Sequence, residues 1–203
     1  MKLNAKQLRD IDEKDIIDKL KLIKRRPIYF ILENIYDTYN IGGLFRLADA
    51  LAIEKIYLCG ETEIPPNSRI KKASIGTYKV VPWEYKKTAK EAINRFKNES
   101  TKIFPRVNSS PEESSSSNIH SRQNFVASSS IVIAVEQDRN SVPYTKANYS
   151  FPMALIFGNE TSGITEETLK LVDQIVEITM FGINKSLNVI VSAAIVSYWI
   201  VSS

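Results

Sequence analysis

The 203-residue sequence holds one cysteine, Cys59, and one histidine, His120. A single cysteine excludes an intramolecular disulfide, and a reducing compartment is the simplest setting for the chain. The lone histidine sits in a serine-rich stretch. A histidine-rich metal site is therefore excluded, and a histidine-based triad is a poor reading. No Gly-x-Gly-x-x-Gly follows the first predicted strand, and no Walker-type lysine loop occurs, so the usual dinucleotide and nucleoside-triphosphate fingerprints are absent. No apolar run follows Met1, and the apolar tail at 189–201 is too short to span a bilayer. The expectation is a soluble, cytoplasmic protein with no membrane segment and no metal.

Charge is the first thing present. The net charge is +4, unevenly spread. Residues 1–26 hold nine Lys/Arg against five Asp/Glu, and residues 69–102 hold ten against three. The rest of the chain is therefore acidic. Two basic segments on an acidic chain point to a polyanion partner, although lysines on solvated helix faces give the same count.

Along the chain, Leu8, Ile11, Ile16, Leu20 and Ile23 predict one helix over 4–24, stopped by Pro27. This makes 1–26 a basic helical extension ahead of a domain over 27–203. Ile28–Leu32 is an unalternating apolar run, as expected of a strand buried on both faces. After a polar loop at 33–40, Gly42 and Gly43 are read as opening a helix through Leu51. Lys55–Leu58 is the next strand, which completes a βαβ unit and implies a parallel sheet. Val80-Val81 is a short candidate strand and 88–97 a helix. From about 99 to 130 the composition changes, with ten serines between Ser109 and Ser130. Such a segment buries too little apolar surface to offset its ordering entropy, so a disordered insertion is expected. Ile131–Val135, Met153–Phe157 and Gln174–Thr179 are further strands. Thr165 caps a short helix whose first turn is acidic.

Three polar loops each follow a predicted buried strand: Asn34–Arg46, Gly158–Gly163 and Gly182–Asn188. In open α/β sheets, ligands bind beyond the carboxyl ends of the strands, so these loops are candidates to converge on a site. The last loop feeds an apolar segment from Val189 to Trp199, in which Ser192, Ala193, Ala194 and Ser197 alternate with larger residues. This suits a largely buried helix, with Asn188 or Ser186 at its start.

The same loops resemble a known family. Leu32–Ala50 is similar to motif 1 of the SpoU/TrmH RNA ribose methyltransferases, Leu155–Gly163 resembles motif 2, and Ser186-Leu187-Asn188-Val189 with the following Ala-containing helix resembles motif 3. Lys72–Gly76 and Val81–Glu84 match family segments in between. The resemblance covers about 28–98 and 131–200. It implies an α/β fold, a Rossmann-like parallel sheet with a C-terminal deep trefoil knot, known as the SPOUT fold. It implies S-adenosyl-L-methionine as cofactor, RNA as substrate, with tRNA slightly favoured over rRNA, and a homodimer packed partly through the C-terminal helix.

Carried over residue by residue, the resemblance makes Arg46 the arginine associated with activating the ribose 2′-hydroxyl. A guanidinium stays protonated in proteins, so orienting the hydroxyl and stabilising the developing alkoxide suits it better than proton abstraction. Asn34, Glu160 and Asn188 match catalytic-loop positions, and Gly158, Ile178, Ser186 and Leu187 match cofactor-contacting positions. Each has a plainer reading: a surface ion pair for Arg46, a turn for Asn34, loop bracing for Glu160, and core packing for Ile178 and Leu187. The sequence departs from the family pattern at Gly43, in the approach Thr179–Lys185, and in the serine-rich insertion. The alternatives are a non-catalytic RNA-binding module or partner subunit of the same fold, and a small-molecule enzyme on a flavodoxin-like sheet.

Overall fold

The computed structural model describes residues 2–11, 16, 20–103 and 130–203. His120 and the serine-rich stretch beyond 103 lie outside the described residues. Among the described residues, seven strands form one sheet: β1 (Arg26–Glu33), β2 (Ile53–Cys59), β3 (Trp83–Lys86), β4 (Ile131–Val135), β5 (Val142–Pro143), β6 (Met153–Phe157) and β7 (Gln174–Glu177). Their spatial order is β3-β2-β1-β6-β4-β7-β5, and every pairing is parallel. β6 is thus inserted between β1 and β4, although it comes later in the chain than either.

Helices cover both faces, which is why β1 and β6 read as unbroken apolar runs. One face carries Phe30, Leu32, Leu155 and Phe157 under α2 (Thr38–Ala50), α3 (Ser68–Ser74) and α6 (Val189–Ser202). The other carries Tyr29, Ile31, Tyr57 and Ile156 under α4 (Ala89–Ile103) and the short α5 (Glu166–Leu169). The parity of each strand decides the face. In α4, Ala89, Ala92, Ile93 and Phe96 form the buried stripe, and the Phe96 ring lies 4.9 Å from that of Tyr29.

Four expectations change on contact with the structure. The N-terminal helix is not continuous. α1 (Ala5–Asp10) ends where Ile11 turns extended, and Lys79 Nζ donates to the carbonyls of Arg9 (3.1 Å) and Ile11 (2.8 Å). A lysine from elsewhere in the chain thus satisfies groups that another helical turn would have used. Val80 and Val81 are buried but follow a 3₁₀ turn at Thr77–Lys79, and the strand is Trp83–Lys86. The helix expected over 88–97 continues to Ile103, so the start of the presumed disordered insertion, 99–103, is helical.

Finally, α2 begins at Thr38, capped by Asp37, whose Oδ1 accepts from Tyr39 N–H at 2.8 Å. Gly42 and Gly43 lie inside this helix. A Cβ on Gly42 would meet Ala73 Cβ at 2.4 Å and the Ser74 backbone at 2.8 Å, and one on Gly43 would meet Ile190 Cδ1 at 2.3 Å. These glycines let α3 and α6 approach α2 closely, at a cost in helix propensity of about 1 kcal/mol each.

The second basic segment is partly spent on structure. Arg95 and Lys55 pair with Glu99 at 2.7 and 2.9 Å, and Lys86 pairs with Glu84 at 2.6 Å. Arg69, Lys71 and Lys72 on α3, with Lys87 and Lys90 at the start of α4, are exposed.

Candidate active site

The carboxyl ends of β4, β6 and β7 open into a cleft of ≈ 320 Å³, the size of a small-molecule site. Val135, Phe157 and Glu177 end the strands that form its floor, and its walls come from the loops at 158–163 and 178–187. Of the sequence-nominated residues, Gly158, Glu160, Ile178, Ser186 and Leu187 line it. Arg46, Asn34 and Asn188 do not.

The 158–163 loop is built by its own hydrogen bonds. Asn159 and Gly163 exchange backbone bonds of 3.1 and 3.0 Å, and Asn159 Oδ1 accepts from Thr161 N–H and Ser162 N–H. A Cβ on Gly158 would meet Gly163 backbone carbon at 2.4 Å, so only glycine fits there. Glu136 Oε2 accepts from Ile164 N–H at 3.0 Å and closes the far side. Buried Glu33 accepts from Thr165 N–H and Oγ1 and from Thr168 Oγ1, which ties α5 to the end of β1.

The three loops are joined by one chain of side chains. Asn188 Nδ2 donates to Asn40 Oδ1 at 2.9 Å, and Asn40 Nδ2 donates to Glu160 Oε1 at 2.8 Å. Asn188 also caps α6 by accepting from Ile190 N–H. Asn159 Nδ2 donates to the Asn34 carbonyl at 2.7 Å, a second tie. Asn40, 4% exposed, is the central member. It falls inside the motif 1 stretch but is not among the nominated site residues; its place as a polar residue among the apolar positions of a helix was the available signal.

Asn34 has φ +54°, and its Oδ1 accepts from Glu61 N–H at 3.0 Å, so its side chain braces the turn after β2 and does not reach toward Arg46. Arg46 lies six residues after Asn40 on α2, about 9 Å along the axis. It is exposed, and no side-chain hydrogen bond or ion pair holds it among the described residues. Its guanidinium is therefore unpartnered among those residues, and it lies outside the residues that line the cleft. Residues 181–188 are all exposed, with Phe181 at 96% and Ile183 at 104%. Gln137 Nε2 donates to the Lys185 carbonyl, holding this loop over the cleft. Among the described residues, no group of three His, Cys, Asp or Glu is placed to hold a metal.

The donor set suits an amphipathic ligand with a charged end. Phe157, Ile178, Leu187 and Val189 supply apolar walls, Lys185 a cation, and Glu136 and Glu177 carboxylates.

The chain is similar to known proteins over most of its length. The tRNA (guanosine(18)-2′-O)-methyltransferase of Escherichia coli (strain K12) is 24% identical over 181 residues, covering 87% of this chain and 64% of the relative. The 23S rRNA (guanosine-2′-O-)-methyltransferase RlmB of Vibrio parahaemolyticus is 24% identical over 191 residues, covering 94% of this chain and 64% of the relative. The chain therefore spans under two thirds of the length of these relatives. The crystal structure of the SpoU methyltransferase AviRb from Streptomyces viridochromogenes, in complex with the cofactor AdoMet, superposes with a TM-score of 0.69 at 18% identity, covering 92% of this chain and 63% of that one. The model of the SpoU rRNA methylase family matches residues 27–198, and the chain belongs to that family.

Proposed function

We propose that the protein transfers a methyl group from S-adenosyl-L-methionine to a ribose 2′-hydroxyl of structured RNA. The observation that carries this reading is the Asn188–Asn40–Glu160 chain, which ties the motif 1 and motif 3 segments to the motif 2 wall of the cleft. The AdoMet-bound relative of the same fold supports the choice of cofactor. Relatives named for tRNA and for 23S rRNA support the choice of substrate, with tRNA favoured.

The cofactor supplies an electrophilic methyl on a sulfonium centre. The chain supplies position and charge. Gly158 and Leu187 would wall the cofactor, and Lys185 would offer a cation to its carboxylate. Arg46 would stabilise the negative charge developing on the ribose oxygen as the oxygen–carbon bond forms and the sulfur–carbon bond breaks, with the hydroxyl proton passing to solvent. Asn34, through its carbonyl, and Glu160, through Asn40, hold the loops that present these groups. Lys71, Lys72, Lys87 and Lys90 meet RNA phosphates.

The C-terminal segment 158–189 is proposed to thread as a deep knot. Support comes from the insertion of β6 between β1 and β4. A homodimer is proposed through α6, where Val191, Tyr198 and Trp199 form an exposed apolar stripe of 41–49% exposure, continued by Phe181 and Ile183.

Transfer of labelled methyl to bulk tRNA and rRNA tests the activity. The reading fails if no RNA is labelled while calorimetry shows cofactor binding. Arg46→Ala is expected to abolish transfer and leave cofactor affinity within about twofold; equal loss of both overturns the role given to Arg46.

A further inference from the structure

A second cleft opens on the other side of the motif 1 loop, with a volume of ≈ 300 Å³. Tyr36, Asp37, Tyr39, Glu63 and Arg69 line it. Both tyrosines are exposed, at 54% and 55%, Tyr36 on the loop and Tyr39 in the first turn of α2, and the loop is otherwise fixed from below. Ile35 N–H donates to Thr62 Oγ1 at 3.0 Å, Thr62 Oγ1 donates to the Leu32 carbonyl at 3.1 Å, and Asp37 caps α2. The Tyr36 hydroxyl donates to Glu61, which fixes its ring. The loop is thus rigid while two rings face solvent. Neither the Tyr39 hydroxyl nor the Arg69 guanidinium has a partner among the described residues.

We propose that this cleft seats the unstacked base of the nucleotide whose ribose enters the methyl-transfer site, with Tyr36 and Tyr39 as the stacking platform. The inference rests on the RNA methyltransferase reading above and adds to it where the base goes and what reads it.

Three observations lead there. The first is position. Tyr39 is followed directly by Asn40, whose side chain donates to Glu160 on the wall of the cofactor cleft. The side chains of Asn40 and Glu160 thus link the residue after Tyr39 to the wall of the cofactor cleft, which is the basis for assigning ribose and base of one nucleotide to the two clefts. The second is charge. Asp37 and Glu63 line the cleft and Glu61 stands beside it, so a phosphate is repelled. A neutral base is not, and its N–H groups suit carboxylates. The phosphates are left to Lys71 and Lys72, exposed on the adjoining α3. The third is chemistry. Single-stranded RNA bases are held by aromatic faces and read on their edges. A carboxylate accepts from the N1–H and N2–H₂ of guanine, while a guanidinium donates to its O6 and N7. Glu63 and Arg69 supply this pair from one cleft. Uracil, with one N–H between two carbonyls, uses less of it.

The test has two arms on the full chain. In the first, tyrosine ring resonances are followed by NMR during titration with guanosine 5′-monophosphate and uridine 5′-monophosphate to roughly 10 mM, a range matched to one stacked base. Guanosine monophosphate is expected to shift the Tyr36 and Tyr39 rings, with uridine monophosphate at least about tenfold weaker. Unmoved rings, or shifts confined to other tyrosines, overturn the seat, and equal response to both nucleotides overturns the guanine preference. In the second arm, Tyr39→Ala is expected to lower kcat/KM for tRNA roughly 5- to 100-fold, the range for loss of one base–aromatic stack. Cofactor affinity is unchanged, and Tyr39→Phe, which keeps the ring, recovers most of the loss. Wild-type kcat/KM in Tyr39→Ala overturns the proposal. If the wild-type protein labels no RNA, the function above fails, and the NMR arm still decides the cleft.

Discussion

Replacing Asn40 tests whether the three loops are held as one unit. Asn40→Ala removes the charge-assisted bond to Glu160 and the bond from Asn188. Bonds of these two kinds contribute about 1.5–3 and 0.5–1.5 kcal/mol. Glu160 and Asn188 are exposed and recover water when Asn40 is lost, so the expected net cost is about 1–3 kcal/mol. For a domain of this size that lowers Tm by about 3–10 °C. Asn40→Asp separates the two bonds. Its carboxylate still accepts from Asn188 but faces Glu160 with like charge, so it is expected to fall below Asn40→Ala at neutral pH and to recover as pH drops and one of the two carboxyls takes up a proton. The decisive assay is a double-mutant cycle of Asn40→Ala with Glu160→Ala, read by chemical denaturation and by cofactor calorimetry. A coupling near 1 kcal/mol is expected. Additivity within about 0.3 kcal/mol would refute a mechanically joined chain.

Other outcomes follow from local geometry. Gly158→Ala drives a methyl into the Gly163 backbone, which has no flexible end to yield, so cofactor binding is expected to be lost before the fold is, as read by calorimetry beside a thermal melt. For Glu99, burial alone would raise its pKa, but the hydrogen bonds from Lys55 and Tyr57 and the nearby charges of Lys55 and Arg95 outweigh burial and hold it below its ordinary value of 4.5. A lowered folded pKa gives stability that is present above about 4.5 and lost as pH falls through the folded value; Glu99→Gln is expected to flatten that acid limb in urea titrations, and an unchanged limb counts against the cluster. Tyr198→Glu places a charge in the exposed α6 stripe and is expected to convert dimer to monomer in sedimentation velocity; a wild-type protein already monomeric at micromolar concentration removes the dimer proposal.

Much of the sheet was legible because strands covered on both faces have no alternation to misread. Ile28–Leu32, Ile131–Val135 and Met153–Phe157 are of this kind. Trp83–Lys86 was not, since it is an edge strand with polar residues and partly exposed positions, whereas buried Val80-Val81 beside it looked more strand-like. The start of α2 was misplaced because glycine usually marks a turn, and only the neighbouring helices show that Gly42 and Gly43 serve packing. The break at Ile11 depends on Lys79, 68 residues away, and no local pattern carries that. Motif resemblance pointed to Gly158, Glu160, Ile178, Ser186 and Leu187 in the cleft, but not to Glu136, Glu177 or Lys185, which also line it. Asn40 was undervalued because its two partners, Glu160 and Asn188, are 120 and 148 residues distant.

The insertion of β6 between β1 and β4 has a consequence for synthesis. β1, β2 and β3 leave the ribosome first and can pair in that order. The other edge of β1, apolar from Ile28 to Leu32, has its partner only when Met153 emerges, about 120 residues after Glu33. At about 5–20 residues per second that edge stays open for roughly 6–24 s. An unpaired hydrophobic strand edge recruits other chains. The newborn polypeptide therefore passes through an obligatory interval in which crowding by its own nascent copies competes with closure of the sheet, and slow translation or dense polysomes lengthen the odds against it.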